Sequence, residues 1–143
     1  MKVQRLDRIY VYVRDLEKAR TFFGELFETE FSEPIAFESV DMRVSICPLG
    51  IALAEPLTPD GAVAKTIEKR GEGVAIVAFK VPKLEEAMAE MESRGIRLAQ
   101  KFSLGGVGQV EGAVYHPKDT FGVMVDFNEY REPHPIVSAL KEK

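Results

Sequence analysis

Few side chains in this sequence belong to the types that most often carry enzyme chemistry. Among its 143 residues there are only two histidines, His116 and His134, and one cysteine, Cys47. A single cysteine excludes an internal disulfide framework and any cysteine-rich zinc or iron–sulfur site. No histidine is adjacent to Cys47 in the sequence, so we interpret it as a small apolar residue. A histidine-based metal centre would need carboxylates for its remaining ligands.

The charge balance narrows the classes of partner. Asp and Glu number 23 against 19 Lys and Arg, which gives a formal net charge of −4. A mildly acidic chain argues against nucleic-acid binding, which needs a basic surface. The longest apolar runs, such as 74–79, are far shorter than the roughly 20 residues that span a bilayer. Because the first residues carry charges where a signal peptide would be apolar, we expect a cytoplasmic protein without a membrane partner.

An internal repeat organises the chain. The sequence of residues 9–19 aligns with that of residues 77–87 at an offset of 68 residues, and valine, leucine, glutamate and alanine recur at matching positions. Each copy has a strand rich in β-branched or aromatic residues, followed by apolar residues at helical spacing. Asp15 stands where the first helix needs an N-cap. We therefore predict an α+β fold, in which two βαβββ modules form a curved eight-stranded mixed sheet around a cup.

These modules are predicted to make a single domain. Module one covers 1–59, a linker helix 60–71, module two 72–130 and a tail 131–143. Strands are predicted at 6–13, 29–38, 41–48, 50–55, 74–81, 97–103, 109–116 and 122–128. Asp60 is expected to cap the linker helix, Val63 and Ile67 to face inward, and Gly71 to end it. The tail after Pro135 is expected to be a terminal helix or a partner-binding segment.

Alternation sorts the strand residues onto two faces. One face is bulky and apolar, as packing beneath helices requires: Ile9, Val11, Val13, Ile51, Leu53, Val77, Phe79, Val81, Val123, Val125 and Phe127. The other face mixes small, aromatic and charged side chains, which is typical of a cavity lining: Arg8, Tyr10, Tyr12, Ala52, Ala54, Ile76, Ala78, Lys80, Met124 and Asp126. Tyr10 and Tyr12 either contact a ligand or simply fill the cup.

Four stretches carry a resemblance to a known superfamily. They run from Leu6 to Ala19, from Glu55 to Leu57, from Lys69 to Phe79 and from His116 to Asp126. Together they resemble the vicinal oxygen chelate (glyoxalase/bleomycin-resistance) superfamily, and within it the methylmalonyl-CoA epimerase branch. The resemblance extends to about residue 128. It implies the cup-shaped fold, isomerase or lyase chemistry, a small-molecule ligand such as an acyl-CoA or a carboxylate, and a homodimer.

The same resemblance implies four inward metal ligands, and this sequence departs from them. Carried over position by position, the ligands fall on Arg8, Ala52, Ile76 and Asp126, of which only Asp126 has a ligand-type side chain. Zinc and similar metals need about three protein ligands. The permanent charge of Arg8 would also repel a cation. We therefore expect no metal and no other cofactor.

Arg8 and Asp126 together suggest a replacement chemistry. We predict that they face each other across the cup floor and form an ion pair, either directly or through a bound anion. The alternative is that the pair only neutralises a former metal site. Asp126 would act as a base and Arg8 as an anion stabiliser. Asp41, or the nearby Glu38, stands where the epimerase branch carries a second acid–base carboxylate. The predicted substrate-binding residues are Arg8, Tyr10, Tyr12, Ala52, Ile76, Met124 and Asp126.

Three functions are compatible with these expectations. The first is a metal-independent isomerase or lyase that acts on a small carboxylate or an acyl thioester. The second is a non-catalytic protein that binds or sequesters a small molecule, as bleomycin-resistance members do. The third is a pseudoenzyme kept for assembly or regulation. If the substitution Arg8→Ala leaves ligand binding unchanged, the cup floor has no role in binding.

Overall fold

The computed structural model describes residues 1–104 and 110–131. Eight strands of one mixed sheet and three α-helices confirm the predicted α+β class. The strands are β1 (Arg5–Tyr12), β2 (Ile35–Phe37), β3 (Met42–Ile46), β4 (Ile51–Pro56), β5 (Gly73–Lys80), β6 (Leu98–Leu104), β7 (Val110–Tyr115) and β8 (Met124–Glu129). The helices are α1 (Leu16–Phe27), α2 (Ala62–Arg70) and α3 (Leu84–Ser93), with short 3-10 helices at Glu38–Val40 and Pro117–Asp119. The tail beyond residue 131, including His134, lies outside the described residues.

Each half of the chain repeats one order of strands. The order is β2-β3-β4-β1 in the first half and β6-β7-β8-β5 in the second. The pairs β1–β4 and β5–β8 are parallel, whereas β2–β3, β3–β4, β6–β7 and β7–β8 are antiparallel. The repeat in the sequence is therefore also a repeat of strand connectivity.

The chain forms two compact units that divide β1 between them. Unit one contains Met1–Arg8 and the described residues from Ala75 onward, and unit two contains Ile9–Val74. Arg8 therefore belongs to the same unit as β7, β8 and β5 from Ala75 onward, although 68 residues separate it from Ile76, its counterpart in the repeat. No helix in the described part of the chain is long and apolar enough to cross a membrane.

Most of the predicted helix-facing residues pack against helices, but Val123 is 36% exposed and precedes β8, so its assignment to that face was wrong. In unit two, Val11, Val13, Ile51 and Leu53 pack with α1 residues in a cluster that also buries Cys47. In unit one, the α3 residues pack against strand residues in a cluster containing Phe79, Val81, Leu84, Ala87, Met91, Ala113, Tyr115, Val125 and Phe127. Cys47 is 1% exposed, which agrees with its interpretation as an apolar core residue.

A glutamate at the end of the last strand holds the start of the helix in each unit. The Leu16 amide donates to Glu55 Oε1 at 2.8 Å, and the Leu84 amide donates to Glu129 Oε1 at 2.7 Å. Amides in the first turn of a helix have no partner within the helix, so these carboxylates satisfy them. Asp15 also caps α1, as predicted, because its side chain accepts from the Lys18 amide at 3.1 Å.

Four predicted strands were too long. Those predicted at 41–48 and 109–116 are limited to Met42–Ile46 and Val110–Tyr115, and the other two are shortened for local reasons. The strand predicted at 29–38 is limited to Ile35–Phe37, because Pro34 has no amide donor and Ser32 bonds to Ile46 partly through its hydroxyl oxygen, at 3.1 Å. The strand predicted at 122–128 begins at Met124, because Phe121 and Gly122 have φ values of 60° and 86° and form a turn.

The predicted cap of α2 was wrong. The N-cap is Gly61 rather than Asp60, its backbone is extended, and no side chain caps the helix. The neighbouring carboxylate of Asp41 occupies the space that a side chain at position 61 would fill. The other expectations for this helix are confirmed, since Val63 and Ile67 are buried and Gly71 follows the last turn.

Candidate active site

Arg8 is a buried cation that contacts Asp7 and Asn128, both in the same unit. Its side chain lies on β1 and the residue is only 2% exposed. Nη1 lies 3.4 Å from Asp7 Oδ2, and Nη2 donates to Asn128 Oδ1 at 3.0 Å. Because a buried guanidinium is costly unless it is paired and hydrogen-bonded, these contacts are what allow Arg8 to remain inside the protein.

Asn128 connects Arg8 to Asp126. Asp126 and Asn128 lie two residues apart on β8, so their side chains share one face of the strand. Asn128 Nδ2 donates to Asp126 Oδ1 at 2.7 Å, and both residues are almost fully buried. Arginine can only donate, so the amide oxygen must face Arg8 and the amide nitrogen must face the carboxylate. The result is a buried chain of three side chains, Arg8–Asn128–Asp126.

The surroundings of Asp126 raise its pKa. Ala78 lies beside it on β5 and Val114 beside it on β7, so no charged side chain stands next to it in register on either strand. Burial raises the pKa of Asp126 from 3.8 to about 7, against the lowering effects of the Arg8 charge and the Asn128 hydrogen bond. The Asp7 charge raises it further. The carboxyl group therefore exchanges protons near neutral pH, which suits a general acid or base.

A second group of polar side chains flanks this chain of three. Tyr130 Oη donates to Asp7 Oδ2 at 2.6 Å, while Arg5 donates to Tyr130 Oη and to Asp7 Oδ1, each at 2.8 Å. Lys80 Nζ lies 4.8 Å from the centre of the Tyr130 ring. Burial, followed by the hydrogen bond to Asp7, raises the pKa of Tyr130 above its usual range, so the phenol remains a donor. These contacts hold Asp7, which in turn contacts Arg8.

The structure brings four of the predicted site residues into unit one. Arg8 and Asp126 are both hydrogen-bonded to the Asn128 amide, and an ion pair between them through a bound anion stays a prediction. Ile76 and Met124 are register partners on β5 and β8, on the strand face of Asp126. Their assignment to substrate binding stays a prediction.

The remaining binding candidates belong to unit two. Tyr10 is the register partner of Ala52, and Tyr12 that of Ala54. Tyr10, Tyr12 and Ala52 are each at most 5% exposed. Burial of this kind fits side chains that fill space, and contact with a ligand stays a prediction for all three.

Asp41 has a structural setting of its own in unit two. It ends the 3-10 helix in a left-handed conformation, with φ of 52°, and accepts from the Thr58 hydroxyl at 2.7 Å. Its backbone oxygen accepts from the Leu57 amide at 3.3 Å. Glu38, the alternative, is exposed in the same 3-10 helix. These contacts brace the link between β4 and α2, and an acid–base role for Asp41 stays a prediction.

Sequence reasoning missed Asn128, Asp7 and Tyr130. The alternation that selected Met124 and Asp126 continues through Asn128 to Tyr130, so extending it would have found two of them. Asp7 gave no such signal, because it has the opposite parity to Arg8 on β1. Its contact with Arg8 depends on the side-chain conformations at the start of the strand.

Comparison with known proteins decides the family. The model of the glyoxalase/bleomycin resistance protein/dioxygenase superfamily matches residues 7–111. The chain belongs to this superfamily. Mitochondrial methylmalonyl-CoA epimerase from Bos taurus is 29% identical over 130 residues, which cover 87% of this chain and 74% of that protein. Protein YqjC from Bacillus subtilis (strain 168) is 28% identical over 130 residues, covering 89% and 93% respectively.

Similar solved structures confirm the fold. A Streptomyces coelicolor methylmalonyl-CoA epimerase variant, in complex with 2-nitronate-propionyl-CoA, matches with a TM-score of 0.77 at 26% identity. The match covers 90% of this chain and 98% of that one. A Bacillus halodurans protein, BH1468, matches with a TM-score of 0.79 at 26% identity, covering 91% and 96%.

The residues at the expected ligand positions of this superfamily member do not fit a divalent metal. Arg8 and Ile76 offer no lone pair, and the Arg8 guanidinium is hydrogen-bonded to the amide that holds Asp126. Within 1–104 and 110–131, no group of three or more His, Cys, Asp or Glu residues could hold a metal ion. A catalytic transition metal needs about three such ligands.

Proposed function

We propose that this protein is a metal-independent isomerase or lyase that moves a proton at the carbon next to an acyl-thioester or carboxylate carbonyl. The observation that carries the proposal is the buried Arg8–Asn128–Asp126 chain in unit one. It combines a carboxyl group suited to proton transfer with a permanent cation that can stabilise an anion. Both groups have little exposure to water, which strengthens their electrostatic effect.

Asp126 is the proposed base. Its Oδ1 accepts from Asn128, and its Oδ2 makes no hydrogen bond with any residue that the structure describes. That oxygen is the one available to take a proton from the substrate. A base with a pKa near neutrality is half ionised at physiological pH and also returns the proton readily.

Arg8 is the proposed stabiliser of the anion. Removing a proton next to a carbonyl produces an enolate, whose negative oxygen needs a cation or hydrogen-bond donors. The guanidinium is a permanent cation that carries five N–H donors. A fixed cation that is already oriented does not need to reorganise when the charge develops.

The relatives favour an acyl-CoA thioester as the substrate. Two of the proteins compared above are methylmalonyl-CoA epimerases, and the Streptomyces coelicolor enzyme is in complex with a propionyl-CoA analogue. Proton return to the opposite face of the carbon would make the reaction an epimerisation, whereas loss of a neighbouring group would make it a lyase reaction.

One observation favours non-catalytic binding as the second candidate. The Arg8 guanidinium already contacts Asp7 and Asn128 inside the protein and is 2% exposed. Contacts of that kind also stabilise a protein whose site binds a small molecule without changing it. The two candidates differ in whether a substrate proton exchanges with solvent.

Solvent-deuterium exchange separates the two functions. Propionyl-CoA and methylmalonyl-CoA are incubated with the protein in deuterium oxide, and the α-hydrogen is followed by proton NMR. We expect catalysed exchange that falls about 100-fold or more in Asp126→Asn and in Arg8→Gln. Asp119→Asn is the matched control, because Asp119 pairs with Arg97 in a surface ion pair of the same unit. Binding of the CoA esters without exchange would favour the second candidate and contradict the first.

A further inference from the structure

A cavity of about 1050 Å³ lies in unit one between α3 and strands β6, β7 and β8. It is on the helix side of the sheet, whereas Asp126 lies on the opposite side of β8 from the helix-packed Phe127. The side chains of Leu84, Met88 and Ile96 give it an apolar surface. The cavity is therefore separate from the candidate active site, and neither the proposed reaction nor the superfamily match assigns it a role.

Carboxylates dominate the charge around this cavity. Glu85, Glu92, Glu111 and Glu129 line it, against a single ammonium group, that of Lys101. Glu129 accepts a hydrogen bond from the Leu84 amide, and Glu111 accepts one from the Ser103 hydroxyl. The side chains of Glu85 and Glu92 make no hydrogen bond or ion pair with any residue in the described ranges.

Tyr115 adds a polar group that points to a ligand. The residue is 2% exposed and lines the cavity, and its hydroxyl makes no hydrogen bond with another residue in the described part of the chain. The hydroxyl oxygen itself is not fully buried, so it is open to the space of the cavity and available to a ligand. Burial, followed by the charge of Glu92, raises the pKa of Tyr115, so the group is a neutral phenol in the field of that carboxylate.

We propose that this cavity binds an amphipathic cation, a primary ammonium group carried on a hydrocarbon chain. The ammonium group lies between Glu92 and the Tyr115 hydroxyl, which accepts one of its hydrogen bonds. The hydrocarbon chain covers Leu84, Met88 and Ile96. An anionic ligand of the same length would meet an excess of carboxylates, and a neutral one would leave them without a counter-charge.

Calorimetric titration with octylammonium tests the proposal, with octanoate and octanol as probes of equal chain length. We expect saturable one-to-one binding of octylammonium, at least tenfold tighter than that of octanoate or octanol. Glu92→Gln should weaken it about fivefold or more, and Tyr115→Phe about threefold or more. Glu86→Gln is the matched control, because Glu86 is exposed on the same helix and does not line the cavity.

Several results would overturn the proposal. Equal affinity for the three probes would show that charge plays no part, and unchanged affinity in Glu92→Gln would remove the ammonium site. Circular dichroism at rising temperature establishes whether Tyr115→Phe is folded. If Tyr115→Phe is unfolded, the affinity of Glu92→Gln for octylammonium still tests the site, because Glu92 is exposed and its substitution should not disturb the fold. Analytical sedimentation of the wild type and of Met88→Asp tests whether a second copy of the chain fills the cavity instead. A dimer that becomes a monomer on this substitution would mean that a second copy fills the cavity.

Discussion

The protein raises the pKa of the Asp126 carboxyl group, and this makes the free energy of unfolding depend on pH. Its folded pKa of about 7 lies above the ordinary value of 3.8. The folded state therefore holds the proton more tightly than the unfolded state does. Its stabilising contribution is complete below about pH 4 and is lost as the pH rises through about 7, by at most about 4 kcal/mol.

Urea unfolding of the wild type and Asp126→Asn between pH 4 and pH 8 measures this contribution. We expect the difference in unfolding free energy between them to change across the range, with the wild type losing stability relative to the variant up to about pH 7. Other titrating groups cancel in the comparison. Parallel curves would mean that Asp126 has an ordinary pKa.

Asn128 is the residue on which the two charged groups depend. Asn128→Leu keeps the approximate volume but leaves Arg8 Nη2 and Asp126 Oδ1 without this partner, which should cost about 2–4 kcal/mol in unfolding free energy. Removing the carboxylate as well, in Asp126→Leu/Asn128→Leu, should cost at least about 1 kcal/mol less than the sum of the two single changes. Strictly additive values would show that the 2.7 Å contact contributes nothing.

At the scale of elements, the start of α3 relies on a side chain from β8. Lys83 at the N-cap makes no capping hydrogen bond, and the Leu84 amide is satisfied by Glu129. Glu129→Ala should therefore lower the unfolding free energy by about 1 kcal/mol. Glu86→Ala, an exposed change in the first turn, is the control and should have less than half that effect. Thermal or urea unfolding measures both, and equal effects would count against the cap.

Gly61 is needed because Asp41 occupies the space beside it. A Cβ at position 61 would overlap Asp41 Oδ2 and lie 2.9 Å from Thr58 Oγ1. Gly61→Ala should cost about 1–3 kcal/mol in unfolding free energy. Asp41→Gly removes the obstructing side chain and suits the left-handed backbone, so the double variant should recover most of the loss. Failure to recover would place the strain elsewhere.

The elements were predictable because their signals are local. The repeat, the N-cap at Asp15 and the two faces of β1, β4, β5 and β8 follow from residue spacing alone. The cap at Gly61 was not predictable, because it depends on Asp41, which lies twenty residues earlier in the chain. The alternation along β8 could have placed Asn128 on the face of Asp126, but its hydrogen bond to Arg8 could not be predicted, because Arg8 lies 120 residues away in the sequence.

At the scale of the whole molecule, the fold of the superfamily is combined with side chains that differ from the metal ligands implied by the resemblance. The family and the fold are shared with methylmalonyl-CoA epimerases, whereas Arg8 and Ile76 occupy two of the positions where the resemblance implies metal ligands. Resemblance could therefore predict the fold, but not what the altered residues do. We propose that a guanidinium linked to a buried carboxylate supplies the positive charge for catalysis without a metal.

The most direct test of that claim is solvent-deuterium incorporation into methylmalonyl-CoA by protein stripped of metal with a chelator. We predict exchange at the α-carbon at the same rate before and after Co²⁺ or Zn²⁺ is added, with loss of about 100-fold or more in Asp126→Asn. Elemental analysis of the stripped protein verifies that no transition metal remains. Stripped protein that is inactive until a metal ion restores exchange would contradict the account.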